Sequence, residues 1–530
     1  MADTPRRAPS LITPMLIVAT VFMIVAAYMK SAWGDEVFSL RVAAMPLADM
    51  LNTVAADSHP PLYYLILKLL FAVSDPFTSG DWEARLIIAR GFSIGCWAAV
   101  LILASALYRE LAAKEQSYPL FVELALVLSP ALMLFGRMAR YYSLLALLFA
   151  YLLLLLIRRL KRDNGAEPPG GRWKFTLAAA AMLLIAYIGA PLLAVLFIAF
   201  AVSARHSIQR IFELAPRFIL PFVALAPWLI FAWNRVRETS PAPGETSGLA
   251  AGVKTMIVDI VYGTWVLTWG EHLALVLWFA ALPILGILVL RTLGSLHASP
   301  DDQPESVRVR RFTFAVVALS ITGLAFGAGF VFSLGTEFFP ARLAFIVAPL
   351  LALGFAALTR KPGILTQVAL WVTILLFAAG NLAAFRGEYG LQSTYDAPYE
   401  LAAGCLVRDN GDSAAPVLID SDALALHYEG GDFGSRRVVN ITSGLPDEEL
   451  IRLWDKGGPI YLAVNPGINP PDALIACWNE AHPDKRFVFQ RVIELHEENA
   501  QIFRLKLRLG MAKPTPVKLA IYKLTPFLER

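Results

Sequence analysis

Long apolar runs, separated by short polar stretches, are the feature that most limits how this chain can fold. A helix needs about 20 predominantly apolar residues to cross a bilayer. Runs near that length recur at 11–29, 86–107, 119–135, 141–157, 175–189, 191–204, 217–233, 273–290, 312–332, 341–358 and 364–382. The composition agrees, because 57% of the residues are hydrophobic and only 17% are charged. The sequence therefore predicts a mainly α-helical polytopic membrane protein with about 11 transmembrane helices.

Lysine and arginine residues are concentrated in every second connection between these runs. If the N-terminus is cytoplasmic, the cytoplasmic stretches are 1–10, 108–118, 158–174, 205–217, 291–311 and 359–363, which hold 19 of the 46 basic residues. This asymmetry follows the positive-inside rule and places everything after residue 383 on the outer side. It also accounts for the formal charge of +4, so the sequence indicates no nucleic-acid partner.

The chain changes character after residue 383, which predicts a membrane module at 1–383 and a soluble domain at 384–530. Short strand patterns at 416–420, 436–441 and 459–464 alternate with helical patterns at 397–409, 446–456 and 470–480, and a hairpin is expected from 486–495 and 500–509. The tail is therefore predicted to be a small α/β domain. It contains Cys405 and Cys477, and a disulfide between them is permitted there but left open.

The first outer loop, residues 30–85, is long for a simple connection. Two apolar stretches within it, 36–51 and 60–73, are too short to cross a membrane. We expect both to form helices that lie in the membrane interface.

Charged residues mark both ends of this loop. Asp35 and Glu36 follow the first apolar run, where they are either a solvated end to the helix or a functional pair. Further on, the stretch DSHPPLYY places Asp57 and His59 directly before two prolines, which favour the first turn of a helix. The free N–H groups at a helix start attract anions such as phosphate.

Arginine residues on the predicted outer side need an explanation, because the positive-inside rule disfavours them there. Arg137 is expected to extend to lipid headgroups. Arg140 and Arg342 lie beside aromatic or proline residues at helix starts, and we expect them to bind an anionic ligand, since the planar guanidinium pairs with two phosphate oxygens. Outer-face carboxylates, phosphate-binding cations and a lipid environment together predict a lipid-linked phosphate as ligand.

Four stretches carry a family resemblance: GDE at 34–36, DSHPPLYY at 57–64, ARYYS at 139–143 and PARLAFIVAPL at 340–350. In order and spacing they resemble the polytopic glycosyltransferases of the C-type superfamily, in the branch with protein O-mannosyltransferases, lipid A aminoarabinose transferases and related bacterial enzymes, similar to glycosyltransferase family 39. The resemblance covers residues 11–383.

The resemblance implies an inner-membrane enzyme with a cytoplasmic N-terminus and a periplasmic C-terminal domain. It would transfer a sugar, a hexose or a pentose, from a polyprenyl-phosphate donor to a lipid, glycan or protein acceptor on the periplasmic face, with inversion. Asp35 would be the general base that takes the acceptor proton, and Glu36 would continue the catalytic acidic pair.

The same resemblance assigns the donor phosphate and sugar to His59, Arg140, Tyr141 and Arg342, while Asp57 would orient groups or contact the acceptor. The cations would stabilise the charge that grows on the departing phosphate. No cofactor and no metal ligand are expected, although a divalent ion held by the acidic residues stays open.

Two other classes of protein are compatible with many apolar runs. One is a transporter or flippase, and the other is a non-catalytic subunit for assembly of envelope polysaccharide. Transporters usually carry their charges near the middle of the membrane, in repeated halves. Here the charges cluster at one face and no half-repeat is visible, which favours the enzyme.

Overall fold

The structure is a computed structural model of the 530-residue chain. It describes residues 12–28, 32–56, 59–111, 119–161, 171–204, 208–239, 307–320, 399–410, 415–419, 438–440, 447–464, 470–495 and 519–527, with isolated positions between 349 and 378. The chain divides into two compact units. The first comprises Met1–Ala27, Val42–Gly80 and Ile87–Leu382, and the second comprises Tyr28–Arg41, Asp81–Leu86 and Ala383–Arg530.

Helices account for nearly all of the described chain up to residue 320. They are α1 (Ile12–Tyr28), α2 (Gly34–Ala44), α3 (Leu47–Ala56), α4 (Leu62–Thr78), α5 (Trp82–Leu111), α6 (Pro119–Leu128), α7 (Pro130–Gly136), α8 (Tyr142–Leu160), α9 (Gly171–Ile185), α10 (Gly189–Ser203), α11 (Ile208–Thr239) and α12 (307–320). Leucine, a strong helix former, dominates α8.

Three of these helices are long and apolar enough to cross a membrane: α5, α8 and residues Ile208–Ala232 of α11. The apolar helices Pro14–Tyr28, Trp173–Ile185 and Gly189–Ser203 are shorter. The prediction of a mainly helical membrane protein is confirmed by these elements. The predicted span at 273–290 and most of those at 341–382 lie outside the described residues, so the count of about 11 stays a prediction.

Proline residues break two helices that the sequence analysis expected to be continuous. The predicted span at 119–135 is interrupted between α6 and α7, where Ser129 has an extended backbone (φ −61°, ψ 116°) before Pro130. The predicted interfacial helix at 36–51 is interrupted at Pro46, between α2 and α3. A proline has no N–H for the helix ladder and forces the preceding residue away from helical geometry, so each stretch forms two helices in place of one.

Contacts between charged residues join four of the stretches that the sequence analysis assigned to one side of the membrane. At the end of α5, Glu110 lies 3.0 Å from both Arg158 and Lys161, which end α8. Arg159 pairs with Glu213 of α11 at 3.6 Å. An Nη atom of Arg308, in α12, donates to the Leu160 carbonyl at 3.5 Å. The stretches around 110, 160, 210 and 308 therefore share one end of the first unit.

Three helices of the first unit meet closely at Gly136, the last residue of α7. A Cβ atom added at Gly136 would lie 2.6 Å from Cδ1 of Trp97 in α5 and 3.0 Å from Cε of Met23 in α1. Trp97 is fully buried. Only glycine therefore allows α1, α5 and α7 to pack as they do.

The C-terminal part of the second unit contains a five-stranded sheet. Its strands are β1 (Val417–Ile419), β2 (Val438–Asn440), β3 (Ile460–Val464), β4 (Phe487–Leu495) and β5 (Leu519–Pro526), in the order β2-β1-β3-β5-β4. The first three are parallel, and β5 is antiparallel to both β3 and β4. The predicted strand at 486–495 is confirmed, and its partner is β5, which the sequence analysis missed. The expected partner at 500–509 lies outside the described residues.

Helices cover both faces of this sheet. They are α13 (Tyr399–Asn410), α14 (Asp447–Asp455) and α15 (Pro471–Ala481). One core joins α13 to Val417 and Ile419, and the other joins α14 and α15 to Leu418. Successive residues of a strand face opposite sides, so β1 contributes to both cores.

The three predicted helices and the first three predicted strands of the tail are thus confirmed. Both of its cysteines are free thiols, with Cys405 buried and Cys477 exposed.

The contact at Gly136 gives a stability test. Gly136→Ala should lower the free energy of unfolding by about 1–3 kcal/mol, because the added methyl group collides with Trp97. Gly95→Ala in α5 is the matched control, since a Cβ there meets nothing within 4 Å and alanine favours helix. The midpoint of thermal unfolding in detergent should fall for Gly136→Ala only. Equal midpoints for the two variants would contradict the close packing.

Candidate functional site

The candidate site begins where the starts of two helices meet in the first unit. His59 precedes α4, and Tyr141 is the N-cap residue of α8. The Nε2 atom of His59 lies 3.1 Å from the Tyr141 hydroxyl, with the ring centroids 4.9 Å apart. His59 and Tyr141 come from two separate motifs, and the sequence analysis assigned both to the same ligand. The structure brings them together.

Aromatic rings surround this pair. Tyr63 stands edge-on to Tyr141 at 6.4 Å between centroids, and Tyr142 lies 4.8 Å from the same ring. Tyr63, Tyr64 and Tyr142 are almost completely buried, whereas His59 and Tyr141 are half-buried. The accessible edge of the cluster is therefore formed by the two residues that share the hydrogen bond.

Sequence reasoning named neither Tyr63 nor Tyr142 as a site residue. Both belong to the quoted motifs DSHPPLYY and ARYYS. Tyr63 is the second residue of α4 and Tyr142 is the first residue of α8. The pair of tyrosines at the helix start in each motif was the sequence feature that could have identified them.

Arg140 supplies a positive charge to the cluster. Its guanidinium carbon lies 5.4 Å from the centroid of the Tyr141 ring, within the range of a cation–π contact. The side chain is 4% exposed. A planar guanidinium can donate to two oxygens of one phosphate, so this position suits a ligand of negative charge.

The local electrostatics favour an anion for a second reason. The helices α4 and α8 are 17 and 19 residues long, and both begin at this cluster. The first N–H groups of each helix have no partner within the helix, and its dipole makes that end positive. Two helix starts, one arginine and one histidine therefore converge here. Such a set can hold a phosphate.

The acidic pair occupies the start of α2. Glu36 is 1% exposed, and its Oε2 atom accepts the backbone N–H of Trp33 at 3.3 Å. Trp33 precedes the helix, so this contact is one half of a capping box, in which the third helical residue reaches back to the N-cap. Glu36 thus stabilises the helix start.

Asp35 differs from Glu36 in its exposure. It is half-buried, and its backbone carbonyl, not its carboxylate, accepts the hydroxyl of Ser39 at 2.8 Å. The position in the first turn of α2 places the carboxylate at the positive end of the helix. Of the two acids, Asp35 is the less buried as a whole residue, although its Oδ2 atom is buried.

The other predicted site residues have different outcomes. Asp57 and Arg342 lie outside the described residues. Arg137 was expected to extend to lipid headgroups, but its Nη1 atom donates to the backbone carbonyl of Ala26 at 3.1 Å. Within the described part of the chain, no three histidine, cysteine or acidic residues are grouped so that they could hold a metal ion.

Neither a comparison with models of protein families nor one with curated proteins finds a match. Solved structures do match. ArnT from Cupriavidus metallidurans in the apo state is 16% identical, with a TM-score of 0.46 over 96% of this chain and 97% of that one. The same protein bound to undecaprenyl phosphate is 14% identical, with a TM-score of 0.45 over 98% of each chain.

A third similar structure is the archaeal oligosaccharyltransferase AglB from Archaeoglobus fulgidus, in complex with an inhibitory peptide and a dolichol-phosphate. It is 11% identical, with a TM-score of 0.44 over 85% of this chain and 69% of that one. ArnT and AglB are C-type glycosyltransferases, so they belong to the superfamily that the sequence motifs resemble.

The capping contact of Glu36 predicts different results for two substitutions. Glu36→Ala should lower the free energy of unfolding by about 1 kcal/mol, because it leaves the Trp33 N–H without its acceptor. Glu36→Gln should keep most of the stability, because an amide oxygen can accept the same hydrogen bond. Thermal unfolding of both variants in detergent measures the difference. If they unfold at the same temperature, Glu36 is not a cap.

Proposed function

We propose that this protein is a membrane glycosyltransferase that moves a sugar from a polyprenyl-phosphate donor to an acceptor on the periplasmic face. The observation that carries the proposal is the convergence of the α4 and α8 starts on His59, Tyr141 and Arg140. This cluster suits the phosphate of a lipid-linked donor, because it is cationic, aromatic and part of an apolar helical unit.

The reaction that these residues suit is a single displacement at the anomeric carbon. An acceptor hydroxyl forms the new bond to that carbon as the bond between the carbon and the phosphate oxygen breaks, which inverts the configuration. The acceptor proton passes to Asp35, and the electron pair of the broken bond remains on the polyprenyl phosphate. Arg140 and His59 stabilise the charge that develops on this leaving group.

Asp35 is the proposed base because it is the half-buried acid at the start of α2, whereas the Glu36 carboxylate accepts a backbone N–H. Glu36 then serves the chemistry indirectly, through the shape of that turn. Asp57 and Arg342 keep their proposed roles at the acceptor and the donor phosphate.

The proposal includes a topology and a domain division. The N-terminus and the end of the first unit that carries Glu110 and Arg158 would be cytoplasmic. The cluster at His59 would then face the periplasm of an inner membrane, as would a C-terminal domain that begins near residue 384. The donor sugar and the acceptor, which is a lipid, glycan or protein, are for experiment to identify.

Transfer of labelled sugar tests the function directly. Purified protein in nanodiscs is given a panel of radiolabelled polyprenyl-phosphate sugars, with envelope extract as acceptor, and loss of label from the lipid is followed. Asp35→Asn should lower turnover by about a hundredfold or more, since it removes the general base. Asp49→Asn is the matched control, because Asp49 is an exposed acid in the same loop and should keep wild-type turnover.

Two results would contradict the proposal in different ways. Equal turnover by wild type and Asp35→Asn would remove Asp35 from the chemistry and leave the transferase activity in place. Absence of turnover with every donor, together with movement of labelled lipid between leaflets, would identify a flippase.

A further inference from the structure

Two arginines donate to the end of α1 in the first unit. The Nη1 atom of Arg90, in α5, lies 2.5 Å from the carbonyl oxygen of Ala27, and Nη1 of Arg137 lies 3.1 Å from that of Ala26. These carbonyls belong to the last turn of α1, which ends at Tyr28. The last four carbonyls of a helix have no partner within it, and that end of the helix is negative. Both arginines therefore satisfy and neutralise the end of α1.

A lysine acts in the same way on α2. The Nζ atom of Lys68, in α4, donates to the backbone carbonyls of Ala43, at 3.4 Å, and of Met45. Ala43 lies in the last turn of α2, and Met45 follows the end of that helix. Lys68 therefore holds the end of α2 as the two arginines hold the end of α1.

These three cations bracket one segment of the chain. Residues 28–41, which include Asp35 and Glu36, belong to the second unit, while Ala27 and Val42 on either side belong to the first. The Arg90 and Arg137 contacts lie directly before the segment, and the Lys68 contacts lie directly after it. The chain on either side of residues 28–41 is thereby held by cationic side chains.

One short turn connects these contacts to the candidate site. Arg137 is the C-cap residue of α7, and three residues later Arg140 and Tyr141 form the cluster at the start of α8. The turn is itself held at its base, where the Ser143 hydroxyl donates to the Gly136 carbonyl at 3.2 Å. The same turn thus carries both a residue that contacts the end of α1 and two residues of the cluster.

We propose that Arg90, Arg137 and Lys68 are positioning residues, which hold both ends of the segment that carries Asp35. This inference rests on the proposed function, in which Asp35 is the base. A base acts only within hydrogen-bond reach of the proton that it takes, so a loosened segment loses rate without losing affinity for the donor. Their side chains are engaged with the backbone, and none of the three is proposed to bind substrate.

Substitutions of Arg137 and Lys68 test the proposal. Arg137→Met and Lys68→Met should each lower kcat by about tenfold to a hundredfold, the effect expected of a small misplacement. The dissociation constant for undecaprenyl phosphate should stay at the wild-type value. Arg137→Lys should recover part of kcat, because an ammonium group can also donate to a helix-end carbonyl. Arg158→Met is the matched control, because Arg158 is a half-exposed cation at the opposite end of α8.

Hydrogen exchange provides a measurement that does not depend on turnover. In Arg137→Met, amides of peptides covering residues 20–28 and 32–44 should exchange faster than in wild type, and those of β3 should be unchanged. Equal exchange in Arg137→Met and wild type would overturn the proposal. So would a loss of carrier affinity in step with kcat, because it would make Arg137 a ligand-binding residue. If the wild-type protein transfers no sugar but hydrogen exchange is faster in Arg137→Met as expected, the proposed function is wrong. The inference that Arg137 holds the segment is then still supported.

Discussion

The hydrogen bond between His59 and Tyr141 joins two helix starts that lie 82 positions apart in the chain. Their meeting concentrates the positive ends of α4 and α8 at one place, beside the buried guanidinium of Arg140. The free N–H groups and the dipole of a helix start attract anions. The proposed phosphate site follows from this convergence.

Several charged groups of the described helices serve the backbone. Arg90, Arg137 and Lys68 donate to carbonyls at helix ends, and Glu36 accepts a backbone N–H at a helix start. Without water, the unpaired groups of a helix end must find partners within the protein. Charged residues of this chain therefore support helix ends, and in the proposed function others bind a ligand. Burial alone does not distinguish them, but their partners do.

Local signals made part of the site predictable. His59 before two prolines and Arg140 with Tyr141 before a leucine-rich run are helix-start patterns, and the structure places all three in one cluster. Pairings between distant positions were not predictable, since Arg90 meets Ala27 across 63 positions. The contact of Arg137 with the Ala26 carbonyl, across 111 positions, is of the same kind. Tyr63 and Tyr142 were not predicted as site residues. The sequence around an aromatic residue in an apolar helix is the same whether the ring faces a ligand or lipid.

The most direct test of the account is the position of the carrier phosphate. A cryo-electron microscopy structure of the protein in nanodiscs with undecaprenyl phosphate, a lipid of the proposed donor class, would show it. The account predicts phosphate density about 3 Å from the guanidinium of Arg140, beside His59 and the start of α8. Density for the phosphate elsewhere, with the Arg140 and His59 cluster unoccupied at saturating lipid, would contradict the central claim.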